Sequence, residues 1–253
     1  MSWALHRKFI YVGSIALFII VLSIFPIYKF LNKTPTCFDG KKNGDESGVD
    51  IGGGCAVLNP RDMNKLIVNW SRTFKVSHGL YEAVASVENS NLKAGARSVI
   101  YKFKLYNKDN VLIAEKFGKT FVGPNEQFMI FESGIHTGER IPKYVFFEFA
   151  QDVKWVRVDL NQSQKLNLSI KNQELTGNVD LYNNSTNAIN DIDVSAVIYD
   201  INDNAIAVSS THIDTIGGDS GKSTVFTWQD ALVGQAVRID IIPRVNPFKS
   251  DDK

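Results

Sequence analysis

The chain has 253 residues, of which 44% are hydrophobic and 11% aromatic, enough apolar material for packed cores and too much for wholesale disorder. Its 28 Lys and Arg against 27 Asp and Glu leave a net charge of +1. That balance argues against nucleic acid as a partner, because such binders need surplus positive charge to displace counterions from phosphates.

Residues 9–28, FIYVGSIALFIIVLSIFPIY, carry no charged side chain. Twenty helical residues rise about 30 Å, the thickness of a bilayer's hydrocarbon core, so the stretch predicts a transmembrane helix in contact with membrane lipid. His6, Arg7 and Lys8 precede it, and Lys29 and Lys33 follow. The positive-inside bias weighs the short N-terminal tail most, which places residues 1–8 in the cytoplasm and the remainder outside the cell membrane. A cleaved signal peptide is the competing reading. It calls for a shorter apolar core and small residues at a cleavage site, whereas this core ends in Phe25-Pro26-Ile27-Tyr28.

Residues 29–60 are poor in hydrophobic pattern and rich in Gly, Asp, Asn and Lys, and read as a stalk. They hold the only two cysteines, Cys37 and Cys55. Outside the cytoplasm these are expected to pair, and closing a loop of this length stabilises by about 3 kcal/mol. Between them Asp39, Asn43, Asp45 and Asp50 follow the first, fifth, seventh and twelfth positions of an EF-hand-type loop, with Gly44 at the turning position, which makes them candidate calcium ligands. Lys41 at the third position and the short Asp50 at the twelfth depart from that pattern, and a polar turn closed by the disulfide, without metal, is the other reading. The segment also resembles acidic Cys-x-Asp-Gly elements of bacterial surface proteins, relatives of thrombospondin type 3 calcium repeats, through Asp39-Gly40, Asn43-Gly44-Asp45-Glu46 and Gly48-Val49-Asp50. Ile51 stands where those elements usually carry a further cysteine.

Residues 61–246 contain an internal repeat. Val99, Tyr101, Phe103 and Leu105 alternate along one stretch, as Ile192, Val194, Ala196 and Ile198 do along another, the signature of half-buried strands. Each stretch ends in Tyr followed by a polar turn, Asn107–Asn110 or Asp200–Asn204, suited to a hairpin. Val84–Asn91 aligns with Val179–Thr186, Gly123–Glu126 with Gly217–Ser220, and Val145, Phe147 and Phe149 with Val237, Ile239 and Ile241. The fold expected is all-β: two tandem immunoglobulin-like antiparallel β-sandwiches, 61–151 and 152–246, behind one N-terminal transmembrane helix, with a disordered tail at 247–253. Leu105-Tyr106-Asn107 and Ile198-Tyr199-Asp200 resemble the signature of FxLYD and late-embryogenesis-abundant-type immunoglobulin-like modules of envelope proteins, the first with Asn in place of Asp. The resemblance implies binding or spacer units and no shared chemistry.

No catalytic motif stands out. The four histidines, His6, His78, His136 and His212, are scattered without zinc-ligand spacing. Gly217–Lys222 is glycine-rich but precedes a strand, whereas a phosphate loop needs a following helix. The loop Gly134–Pro142 offers His136, Glu139 and Arg140 as partner contacts, with a plain Glu-Arg surface pair as the alternative. Trp70 and Phe74 are either ligand anchors or core. The expectation is a non-enzymatic, membrane-tethered binding or scaffold protein of the bacterial envelope with a protein or envelope partner. An accessory subunit that positions a partner enzyme in a secretion or cell-wall complex is the alternative. No cofactor is expected beyond the possible calcium.

Overall fold

The computed structural model describes residues 3–31, 36–159, 167–228 and 234–248. The chain divides into two compact units, one ending at Gly54 and one beginning at Cys55. In the first unit, helix α1 spans Trp3–Leu31, longer at both ends than the expected 9–28, so most of the expected cytoplasmic tail is helical. Its Arg7–Ile24 stretch is long and apolar enough to cross a membrane, and its side chains face outward rather than into a core. Residues 37–54 form a series of tight turns with one antiparallel bridge between Gly48 and Ile51. Both cysteines are disulfide-bonded.

The second unit is all antiparallel strands after a short 3-10 turn at Pro60–Asp62, which Asn59 caps by accepting the Arg61 N–H. The first copy supplies β1 (Ile67–Ser77), β2 (Leu80–Asn89), β3 (Ala94–Tyr106), β4 (Leu112–Val122), β5 (Glu126–His136), β6 (Tyr144–Phe149) and the short β7 (Val156–Arg157). The second supplies β8 (Leu168–Gln173), β9 (Asn178–Asn183), β10 (Ile189–Tyr199), β11 (Ala205–Ile216), β12 (Ser220–Val225) and β13 (Arg238–Val245). Sheet β1-β2-β5 answers to β8-β9-β12, and β4-β3-β6 to β11-β10-β13, so the repeat read in the sequence recurs in six strands of each copy, with β7 an addition in the first.

Alternation decides which face is buried. Val99, Tyr101, Phe103 and Leu105 point into a cluster shared with Ala83, Val87, Phe128 and Phe147, between the two sheets of the first copy. Ile192, Val194, Ala196 and Ile198 enter a separate cluster with Leu181, Ile213 and Ile241 in the second. A third cluster joins the copies: Val84 and Met129, on the outer face of β1-β2-β5, pack with Val197, Tyr199, Ala205 and Val208 on the outer face of β11-β10-β13. Trp70 and Phe74 pack on this cluster, so they are seam residues rather than exposed anchors.

Several boundaries move. The first copy runs past 151, because Trp155 lies in its core and β7 pairs with Ala94 and Gly95. The stalk gives way to the β unit before 60, since Val57 bridges to Val156 and Leu58 is core. The tail expected to be disordered from 247 begins as a turn in which Phe248 is buried and stacks near Arg97, and residues 249–253 lie outside those described.

The same polar brackets close both copies. Buried Asn89 donates through Nδ2 to the carbonyls of Ala94 and Gly123, and buried Asn183 donates to those of Asn187, Ile216 and Gly217. These bonds align Asn89 with Asn183, one residue off the alignment that pairs Val84 with Val179. In the hairpins, Asn107 Oδ1 accepts the N–H of Asp109 and Val111, and Asp200 Oδ1 those of Asn202 and Asn204. Asn110 and Asp203 sit at φ +59° and +57°, a left-handed conformation that Asn and Asp tolerate. The residue after each Tyr is therefore a turn-former, and either Asn or Asp serves because only the side-chain oxygen is used. The last strands also shift: Tyr106 pairs with Tyr144 and Tyr199 with Arg238, which aligns Val145 with Ile239 rather than Val237.

Candidate functional site

In the acidic loop the carboxylates hold the turns. Asp39 accepts the Lys41 N–H at 3.0 Å and the Asn43 amide at 2.8 Å. Asp50 accepts the N–H of Asp39 and Gly40, and Glu46 accepts those of Asn43 and Asp50. Gly53, at φ +52°, lies against Asp45, where a Cβ would come within 2.4 Å of the Asp45 carbonyl oxygen. Among the described residues, Asp39, Asp45 and Asp50 do not gather as a triplet within 4.8 Å. Asn43 Oδ1 is buried without a hydrogen-bond partner. Glu46, absent from the candidate ligands, is the most buried acid of the loop.

His136 ends β5, and residues 137–140 turn beside the β1–β2 hairpin, where Thr137 donates to the Gly79 carbonyl at 2.9 Å. Gly79, at φ +68°, meets Gly138 so closely that a Cβ would lie 2.6 Å from its carbonyl oxygen. His136, Glu139 and Arg140 are all exposed, and Glu139 faces His78 at 3.5 Å. Exposed pairs of this kind contribute about 0–1 kcal/mol.

A denser polar constellation lies at the seam between the copies, where tertiary pairing rather than sequence spacing brings its residues together. Register places His212, Asp193 and Arg244 in one row across β11, β10 and β13. Arg244 crosses into the first copy, donating to Thr120 Oγ1 at 2.9 Å and to the Phe121 carbonyl, lying over the rings of Phe121 and Phe128, and pairing with Glu126 at 3.6 Å. Both charges are nearly enclosed, Arg244 at 8% exposure and Glu126 at 4%. Burial opposes the charge on Arg244 and Glu126 supports it. Arg72 of β1 makes the reciprocal crossing, donating to the Ala205 carbonyl and Asn204 Oδ1. The sequence signal was an Arg after Pro243 within an apolar edge strand, Ile241-Ile-Pro-Arg-Val245.

A cleft of about 450 Å³ opens on this seam, lined by Tyr101, Thr120 and Phe131 of the first copy and Asp193, His212 and Arg244 of the second. Burial and the Glu132 carboxylate, hydrogen-bonded to it at 2.9 Å, push the Tyr101 hydroxyl well above the ordinary phenol range. His212 sits among acids: Nδ1 lies 2.8 Å from Asp193, and Nε2 lies 3.6 Å from Asp214 and 3.8 Å from Asp191. The Asp193 hydrogen bond raises its pKa. A histidine that activates a nucleophile keeps one nitrogen turned to a hydroxyl or thiol. Ser195, Ser210 and Thr211 line the cleft, yet both ring nitrogens of His212 face carboxylates. This arrangement can clamp charge and hold the copies together.

Compared with known proteins, the chain matches no family model, and no curated protein is significantly similar to it.

Proposed function

We propose that the protein is a non-enzymatic binding or scaffold protein of the cell envelope, held in the membrane by α1 with its two immunoglobulin-like copies on the extracytoplasmic side. The observation that carries the reading is the apolar Arg7–Ile24 stretch of α1, joined through a disulfide-closed turn segment to a β unit. The disulfide supports an oxidising compartment. Asp39, Asn43 and Asp50 brace the turns of the loop through hydrogen bonds, a structural role that serves the disulfide-closed segment with or without an ion.

Fractionation tests this reading. The full 253-residue chain is expected in membranes after alkaline carbonate extraction, with the β unit open to protease from the outer side only. A released protein lacking α1 would instead identify α1 as a signal sequence.

A further inference from the structure

Exposed aromatic side chains gather on one sheet face. On the outer side of β4-β3-β6, Phe117 is 56% exposed, Phe146 55% and Tyr144 53%, with Leu112 and Ile100 beside them. Register sets Phe117, Lys102 and Glu148 in one row, and Glu115, Lys104 and Phe146 in the next. The rings thus form a diagonal band across β3, from Phe117 on β4 to Phe146 and then Tyr144 on β6. Between them Lys102 pairs with Glu115 at 3.8 Å and Glu148 at 3.0 Å, and Lys104 pairs with Glu148 at 2.9 Å. The centre of the face therefore carries no net charge, with Lys119 at its margin.

The repeat shows what this face is not built for. Its counterpart in the second copy, the outer face of β11-β10-β13, is the one the first copy covers. There the seam uses Val197, Val208 and Ile242; the aligned positions in the first copy are Lys104, Glu115 and Glu148. Where the second copy has Ser210 and Asp240, the first has Phe117 and Phe146. Docking another sandwich here would bury ion pairs that water now solvates. Area argues the same way: β6 has six residues, so all three strands run side by side over that length only and present on the order of 300 Å², against roughly 800 Å² per partner in a stable protein interface. Central charge balance also removes the attraction that anionic membranes or polymers would need.

We propose that the open β4-β3-β6 face of the first copy binds a neutral polysaccharide chain, its sugar rings stacking on Phe117, Phe146 and Tyr144 and its hydroxyls bonding to Lys102, Lys104, Glu115 and Glu148. Sugar rings present apolar C–H faces that suit exposed aromatic rings, and hydroxyl edges that suit charged donors and acceptors without needing a counter-charge. A single extended chain fits a narrow face that is too small for a protein. The inference deepens the binding reading of the β unit by naming its ligand class, and it stands whether or not α1 remains attached.

The test is native affinity electrophoresis of the full chain in a non-glycosidic detergent, through gels containing hydroxyethyl cellulose, laminarin or glycol chitin. Retardation by at least one is expected, unchanged by added salt. The double variant F117A/F146A should weaken it about tenfold or more, with an unaltered thermal melt because both side chains face solvent. F117W/F146W should retain it. No retardation by any of the three would overturn the proposal, as would equal retardation of F117A/F146A. Salt-sensitive retardation seen only with carboxymethyl cellulose would overturn it in favour of an anionic ligand, and dimerisation abolished by F117A/F146A in favour of a second copy. None of these outcomes bears on membrane attachment, so a failure here leaves the fractionation result to stand alone.

Discussion

At the scale of single residues, two kinds of buried polar group fix this protein. Arg244 and Glu126 are enclosed together, so removing one takes the buried counter-group from the other. Arg244→Ala is expected to destabilise by about 3–5 kcal/mol, and the double variant R244M/E126Q by much less, as read from denaturant midpoints. Asn183 satisfies three backbone carbonyls and accepts the Ser185 N–H, so Asn183→Ala should cost about 1–3 kcal/mol, with Asn89→Ala similar. His212 adds a pH dependence of known sign. Its folded-state pKa is raised, chiefly by Asp193, so its contribution is full below the ordinary histidine value of 6.5 and fades as pH rises through the higher folded value. The melting temperature of wild type should therefore exceed that of His212→Gln only on the acid side of that window, by a margin that salt reduces. Equal differences at every pH would contradict this. Such residues were hard to see in the sequence. Asn89 and Asn183 are common turn formers, and nothing local marks them as buried. Arg244 showed itself only as a charge within an apolar strand.

At the scale of elements, the sequence was most legible where a physical period repeats. Strands β3 and β10 announce themselves through alternation because one face of each is buried, and α1 through an unbroken apolar run. The helix ends were less legible, since Trp3–Lys8 have no feature that stops a helix. Likewise β7 is two residues long, too short for any pattern, and its place in the first copy follows from tertiary pairing alone. The acidic loop shows the limit of motif spacing: the same Asp and Asn positions suit an ion or a set of turns, and the hydrogen bonds to backbone amides account for the turns. Calcium titration of the full chain should leave the loop's proteolytic susceptibility unchanged up to millimolar levels, whereas reduction of the Cys37–Cys55 bond should expose it, consistent with the loss of about 3 kcal/mol of loop closure. Protection by micromolar calcium would restore the metal reading.

At the scale of the whole molecule, the β unit is two copies with separate cores, joined by a small apolar cluster and by the reciprocal crossings of Arg72 and Arg244. The seam explains why one sheet face is apolar in the second copy and rich in paired charges in the first, although the two share one strand order. It also explains why the sequence showed the repeat but not the arrangement: each core is encoded by local alternation, whereas the seam depends on which outer faces meet. The most direct measurement is hydrogen exchange by mass spectrometry, comparing peptides from β3 and β10 in wild type and in the double variant R72A/R244A. Wild type is expected to open both strands with one free energy, and the variant to open them with two, each copy persisting on its own core. If the two strands still open together in the variant, the copies share a single interior and the account of two cores clamped at a seam is wrong.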